Sequence, residues 1–149
     1  MDDQTLVHAS FEVERSFSIS VDRLYQAFAD KTAKELWFKG PNGTPGEHTM
    51  DFRAGGQETN LVSMGDTKIR FEARYYDVIQ NERIVYVYEM YLNEKRISVS
   101  LASLEFSTKN DKAHLRLVED GIFLETSDGV ESRERGTKDL MEALAKSIE

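Results

Sequence analysis

Polar and hydrophobic residues alternate along the middle of the chain in a way that is typical of half-buried β-strands. Successive side chains of a strand point to opposite faces, so every second residue of each segment is expected to face the core. In residues 69–75 these inward positions are Ile69, Phe71, Ala73 and Tyr75. In residues 84–90 they are Ile84, Tyr86, Tyr88 and Met90. Residues 11–17 predict a first strand in the same way, with Arg15 on the same face as Phe11, Val13 and Phe17.

The pattern continues beyond residue 95 but is less regular. Residues 113–119 alternate, with Leu115 and Leu117 opposite His114 and Arg116. Residues 95–106 do not show which face points inward, because Ile97, Val99 and Leu101 oppose Ser98, Ser100, Ala102, Leu104 and Phe106. The segments VIQNER (78–83) and TKNDKA (108–113) predict turns. We therefore expect a meander of antiparallel strands from residue 47 to about residue 122.

Helical spacing replaces alternation in three places. After Ser20, a good N-cap, apolar residues recur at Val21, Leu24, Tyr25 and Phe28. In the segment TAKELW, Thr32 and Glu35 have the spacing of a capping box and predict a second short helix. The last segment has one apolar stripe made of Thr137, Leu140, Met141, Leu144, Ala145 and Ile148. Asp128 and Glu131 are candidates to cap its start, and we expect Gly136 to allow a close approach to a neighbouring element.

This order of elements predicts an α+β domain in which a curved antiparallel sheet of six or seven strands wraps around a long C-terminal helix. Two short helices follow the first strand. A length of 149 residues suits a single domain, here residues 1–149, with residues 1–10 as a flexible N-terminal lead.

Composition excludes several classes of function. The net charge of −8 makes nucleic acid an unfavourable partner, since phosphate binding requires a basic face. The chain has no cysteine, which excludes disulfides, thiol nucleophiles and cysteine-ligated zinc. No basic and apolar leader opens the sequence, and no apolar run approaches the roughly 18 residues of a membrane span. We expect a cytoplasmic protein.

Six segments in unbroken order carry a resemblance to a known family: FEVERSFSISVDRLYQAFAD, ELWFKG, DFRAGGQE, YYDVIQNERIVYVYEM, RISVSLASLEF and RERGTKDLMEAL. They resemble bacterial proteins related to the activator of the 90-kDa heat-shock protein ATPase. That family belongs to the helix-grip superfamily of START domains, pollen allergens and polyketide cyclases. The resemblance spans residues 11 to 148 and implies the helix-grip fold.

The resemblance also implies a role for the glycine pair of DFRAGGQE. In such a fold this segment lies where the second strand turns into the third, so Gly55 and Gly56 would supply positive φ angles or a bulge. Asp51 and Arg53 are expected to hold the same loop. The fold further implies a gap between the concave face and the C-terminal helix, which the superfamily commonly uses for an apolar or amphipathic small molecule.

Motifs of catalysis and cofactor binding are not found. The sequence has no phosphate-binding loop, no G-x-S-x-G, no G-x-G-x-x-G and no H-E-x-x-H. His8, His48 and His114 are far apart, without a pair at ligand spacing. We therefore assign no cofactor, no metal and no catalytic residue.

Candidate ligand-binding residues follow from the inward parity and the apolar character of binding pockets. They are Trp37, Phe38, Met50, Phe52, Tyr75, Tyr86, Tyr88, Met90, Phe123 and Met141. For any one of them an ordinary core position is the favoured interpretation, although buried tyrosine hydroxyls need a partner, which a hydrated or occupied cavity would provide. Arg15, His48 and Glu119 are the candidate polar groups. A buried charge must be paired, so Arg15 and Glu119 are expected in ion pairs.

Three classes of function are compatible with these observations. The favoured one is a small-molecule binding domain for a lipophilic or amphipathic ligand, acting as a carrier or a stress-related sensor. A polyketide cyclase-type enzyme would need a general acid or base, for which His48, Glu119 and a tyrosine are the candidates. A co-chaperone would need a docking surface for a chaperone ATPase. It is less favoured, because eukaryotic activators of this kind carry an extra N-terminal domain. The sequence leaves a homodimer and a chaperone partner open.

Overall fold

The architecture is a seven-stranded antiparallel sheet with helices on its concave side, as a computed structural model describes it for residues 6–124 and 129–149. The elements in chain order are β1 (Val7–Phe17), α1 (Val21–Ala29), α2 (Lys31–Glu35), β2 (Thr44–Met50), β3 (Gln57–Met64), β4 (Thr67–Ile79), β5 (Arg83–Leu92), β6 (Lys95–Lys109), β7 (Lys112–Phe123) and α3 (Gly129–Ile148). The strand order is β1-β7-β6-β5-β4-β3-β2, so the first and last strands are neighbours. The predicted α+β helix-grip fold is confirmed.

The first strand is longer than its sequence pattern suggested. β1 begins at Val7, which pairs with Phe123 of β7, and its alternation continues with Ala9 turned inward and His8 exposed. The prediction of a flexible lead over residues 1–10 is therefore wrong for residues 7–10, which are part of the sheet. Residues 1–5 of that lead lie outside the described residues.

The two short helices meet at one residue that serves both of them. Ser20 caps α1 as predicted, since its side chain accepts the Arg23 N–H at 3.1 Å. The cap of α2 is Asp30, whose carboxylate accepts the Ala33 N–H at 3.0 Å. The capping box assigned to Thr32 and Glu35 is wrong, because α2 begins directly after α1 and Asp30 occupies the junction.

The face of β6 that points inward is the one with the smaller side chains. Ser98, Ser100, Ala102, Leu104 and Phe106 are buried, whereas Leu101 is 48% exposed. Directly opposed residues of neighbouring strands share a face, and Ala102 pairs with Tyr86 while Leu104 pairs with Leu117. The register of β6 with β5 and β7 therefore decides the question that its own alternation left open.

The glycine pair of DFRAGGQE lies in the connection from β2 to β3, as expected. Gly55 has a φ of +86°, and its N–H donates to the Tyr75 carbonyl at 2.8 Å. Gly56 serves a different purpose, because a Cβ there would lie 2.0 Å from the Asp51 carbonyl oxygen. The Arg53 guanidinium contacts the Asp51 carboxylate at 3.0 Å, so the loop is held by the pair that the sequence suggested.

The C-terminal helix packs unevenly along its length. Met141, Leu144 and Ala145 in its second half are buried in the core, together with Phe17 and Leu24. The expectation of a close approach at Gly136 is wrong, since no atom lies within 4 Å of a Cβ built there. Open space therefore adjoins α3 at Gly136, whereas Gly129 and Arg133 of its first half contact the sheet. The predicted cap at Asp128 lies outside the described residues.

Candidate functional site

A cavity of about 680 Å³ lies between the concave face of the sheet and α3. Its position follows from the side chains that face it. β6 presents the small residues Ser98, Ser100 and Ala102, and Gly136 of α3 leaves open space above the sheet. A well-packed core leaves few voids larger than a water molecule, so a space of this size marks a pocket.

Most of the predicted lining residues surround this cavity. Those that do are Trp37, Phe38, Phe52, Tyr75, Tyr86, Tyr88, Met90, Phe123 and Met141. Met50 is not among the lining residues, because it ends β2 at the edge of the sheet. The alternation of β4 and β5 explains why the predicted residues line the cavity, since the residues that face the core also face the cavity.

Only one of the three candidate polar groups reaches the cavity. Glu119 lines it, but Arg15 and His48 do not. Arg15 contacts Glu142 of α3 at 3.4 Å, and both side chains are partly exposed to solvent. The expected ion pair of Arg15 is therefore present, but as a surface contact that ties β1 to α3.

Glu119 is the centre of a buried hydrogen-bonded cluster. Its carboxylate accepts from the Tyr88 hydroxyl at 2.8 and 2.9 Å and from the Ser100 hydroxyl at 2.7 Å. Arg133 of α3 approaches it at 3.3 Å and also donates to Tyr88 at 2.9 Å and to the Ser98 hydroxyl at 2.7 Å. Each polar group of the cluster thus has a partner, as burial of a charge requires.

The tyrosines beside this cluster stay protonated. Burial raises the pKa of Tyr88, and the nearby Glu119 carboxylate raises it further against the opposing effect of Arg133. Burial also raises the pKa of Tyr86, with added contributions from Tyr88 and from the Glu119 and Glu58 carboxylates. Neutral phenols can both donate and accept hydrogen bonds, so these hydroxyls are suited to bind polar groups.

A second charged cluster lies beside the cavity, on the same face of the sheet. The fully buried Glu58 carboxylate contacts Lys34 at 2.8 Å and His48 Nε2 at 2.7 Å, and it accepts from the Tyr75 hydroxyl. Burial by itself would raise the pKa of Glu58, but Lys34, His48 and Tyr75 together lower it to about 2. Glu58 is therefore ionised over the physiological range.

His48 has a structural position in this cluster. Its Nδ1 lies 2.9 Å from the Glu35 carboxylate and its Nε2 lies 2.7 Å from Glu58. Carboxylates only accept hydrogen bonds, so a ring nitrogen that carries a proton donates to the carboxylate that it faces. His48 thus joins α2 to β3 from its place on β2.

Lys34 and Arg133 are among the charged lining residues that the sequence did not single out. Lys34 of α2 reaches the cavity with its ammonium group 4.3 Å from the centre of the Phe38 ring. Arg133 of α3 lies four residues before Thr137, which places it on the apolar stripe of the helix. Arg15 was identified as a charged residue on the apolar face of a strand. The same criterion, applied to the apolar face of α3, would have identified Arg133.

The fold and the cavity together define a START-like helix-grip domain. The chain belongs to the family described as Activator of Hsp90 ATPase homolog 1-like protein, whose model matches residues 18–149. The resemblance seen in the sequence is thereby confirmed.

Solved structures of bacterial proteins are similar over nearly the whole chain. The Mll3558 protein from Rhizobium loti is 35% identical, with a TM-score of 0.86 over 96% of this chain and 99% of that one. An uncharacterized protein from Rhizobium leguminosarum is 31% identical, with a TM-score of 0.91 over 97% and 96%. Protein CV1439 from Chromobacterium violaceum shares the fold at 20% identity, with a TM-score of 0.79 over 93% and 96%. No curated protein matches the chain.

Within residues 6–124 and 129–149, no group of three or more His, Asp or Glu side chains is arranged to hold a metal ion. None of the helices in this part of the chain combines the length and the apolar character that crossing a membrane requires.

Proposed function

We propose that the chain is a small-molecule binding domain whose cavity holds a lipophilic or amphipathic ligand, as in a carrier or a sensor. The supporting observation is the cavity itself, about 680 Å³ in volume and enclosed by aromatic and aliphatic side chains with a few polar groups. Pockets for small organic molecules have this size and this composition. The ligand residues named from the sequence remain part of this proposal, except Met50, which does not line the cavity. A cytoplasmic location remains part of it as well.

The aromatic wall supports binding of an apolar ligand body. The ring of Phe71 lies with its centre 4.9 Å from those of Phe38 and Tyr88, and Tyr86 packs at 5.9 Å from Tyr88. Rings packed against one another keep their orientation, so this wall is rigid before a ligand arrives. A preformed apolar surface lowers the entropy cost of binding.

The hydrogen bonds that the titratable groups already make favour binding over catalysis as the function of the cavity. A general base needs a lone pair directed at the substrate. Both carboxylate oxygens of Glu119 already accept hydrogen bonds, and both ring nitrogens of His48 face carboxylates outside the cavity. Proton transfer by His48 would first require its present contacts to break, and Glu119 is held in place by Tyr88 and Ser100.

The proposal is tested by titrating the native protein with an uncharged fluorescent probe such as N-phenyl-1-naphthylamine. We expect saturable binding at one site. Gly136→Trp introduces a large side chain beside the cavity and should weaken binding, whereas Gly136→Ala, the matched control, should leave it unchanged. Circular dichroism would verify that both variants fold.

Two results would count against the proposal. One is the lack of saturable binding by the folded protein, and the other is equal binding by the two Gly136 variants. In the first case, stimulation of a purified 90-kDa chaperone ATPase by the chain would favour the co-chaperone alternative.

A further inference from the structure

The hydroxyl of Tyr86 differs from the other tyrosine hydroxyls of the cavity. Tyr75 donates to Glu58, and Tyr88 donates to Glu119 while accepting from Arg133. Among the residues that the structure describes, none forms a hydrogen bond with the Tyr86 hydroxyl. Tyr86 is half-buried and lines the cavity, and its hydroxyl is not enclosed by protein atoms, so it is accessible from the cavity. A hydroxyl that is open to a cavity can donate a hydrogen bond to a molecule that occupies the cavity.

The surroundings of Tyr86 place this hydroxyl in the middle of the wall. Its ring lies 6.0 Å from that of Tyr75 and 5.9 Å from that of Tyr88, so it stands between the Glu58 cluster and the Glu119 cluster. The residue opposite it on β6 is Ala102, which is too short to cover it. A ligand between the sheet and α3 therefore has direct access to the hydroxyl.

The charges at the inner wall of the cavity favour an uncharged ligand. Lys34 is paired with Glu58 at 2.8 Å, and Arg133 is paired with Glu119 at 3.3 Å. A ligand carboxylate beside Tyr86 would lie near the Glu119 carboxylate, whose counter-charge Arg133 is already engaged. Burying an anion without a partner is costly, whereas a neutral carbonyl or hydroxyl oxygen requires only one donor.

We propose that the cavity selects an uncharged, mainly apolar molecule with a carbonyl or hydroxyl oxygen, which accepts a hydrogen bond from the Tyr86 hydroxyl. This inference rests on the proposed binding function and adds the chemical class of the ligand. The raised pKa of Tyr86 is consistent with it, since the hydroxyl keeps its proton and remains a donor.

Three naphthalenes of similar shape test the inference by displacement of the uncharged probe. They are 2-acetylnaphthalene, its hydrocarbon counterpart 2-isopropenylnaphthalene, and the anion 2-naphthoate. In Tyr86→Phe we expect the affinity for the ketone to fall by about 3- to 10-fold, the range of one neutral hydrogen bond, and that for the hydrocarbon to stay within about 2-fold. The wild-type protein should bind 2-naphthoate more weakly than the ketone.

The matched control is Tyr76→Phe, since Tyr76 is 59% exposed and does not line the cavity. It should change none of the three affinities. Equal affinity of wild type and Tyr86→Phe for the ketone would overturn the inference and leave the binding function in place. Preferential binding of 2-naphthoate would also overturn it and would direct attention to Lys39 and Lys95, which line the more exposed part of the cavity. Failure of all three compounds, and of the probe, would overturn the binding function as well.

Discussion

Arg133 of α3 lies 3.3 Å from the buried carboxylate of Glu119 on β7, and this contact joins the helix to the sheet at the wall of the cavity. The two side chains are 11% and 4% exposed, so the pair is largely removed from water. The first half of α3 has little apolar contact with the sheet, which makes this polar contact important for holding the helix in place.

Removal of the arginine is therefore expected to destabilise the protein. Arg133→Met leaves the Glu119 charge buried without its counter-charge, and loss of one partner of such a pair typically costs about 3 kcal/mol or more. Urea denaturation measures the change in the free energy of unfolding. The exposed Arg135 provides the control, because Arg135→Met on the same helix should change stability by no more than about 0.5 kcal/mol. Similar values for both variants would show that the pair does not hold the helix.

Acidification is expected to destabilise the protein through Glu58. Its pKa in the folded state is about 2, below the ordinary value of 4.5, so its contribution is complete above pH 4.5 and is lost as the pH falls towards 2. A difference of this size corresponds to about 3 kcal/mol. Glu58→Gln should be less stable than wild type at pH 7, because Lys34 loses its buried counter-charge, and its stability should fall less on acidification. Urea denaturation between pH 7 and pH 3 gives the free energy of unfolding at pH 7 and its loss on acidification. The control is Glu47→Gln at an exposed position. Parallel curves for wild type and Glu58→Gln would contradict the assignment.

The two glycines of the β2–β3 connection should respond differently to alanine. The Cβ of Gly55→Ala would meet no atom within 4 Å. The free energy of unfolding should therefore fall only by the cost of a positive φ for alanine, about 1 kcal/mol. Gly56→Ala would place its Cβ 2.0 Å from a backbone oxygen, so the loop must shift and a larger loss is expected. Thermal unfolding of the two variants tests the order, and a greater loss for Gly55→Ala would show that the loop tolerates displacement.

Gly136→Ala is expected to stabilise the protein. The added methyl group meets open space, and alanine is favoured over glycine inside a helix by up to about 1 kcal/mol. For a domain of this size the midpoint of thermal unfolding should rise by about 2 to 4 °C. Gly136→Ala and wild type are compared by calorimetry without added ligand. A lower midpoint would indicate that α3 needs the flexibility of glycine at this position.

The sequence by itself determined the elements and most of the wall of the cavity. The period-2 alternation of β4 and β5 and the apolar stripe of α3 are local properties, since backbone geometry alone fixes which side chains share a face. For that reason Tyr75, Tyr86, Tyr88, Met90 and Met141 could be assigned to one interior before any contact was known. The family could be recognised for a related reason, because its motifs lie in the same order along the chain.

Only the tertiary structure decided which face of β6 points inward and which partners the charged residues contact. The inward face of β6 depends on its register with β5 and β7, which its own alternation does not encode. His48 is a link between Glu35 and Glu58 and not a ligand group, because both of its ring nitrogens face these carboxylates on the edge strand β2. Arg133 and Glu119 are 14 residues apart and meet only where α3 crosses the sheet. Such contacts are set by the packing of whole elements, and sequence spacing carries no record of them.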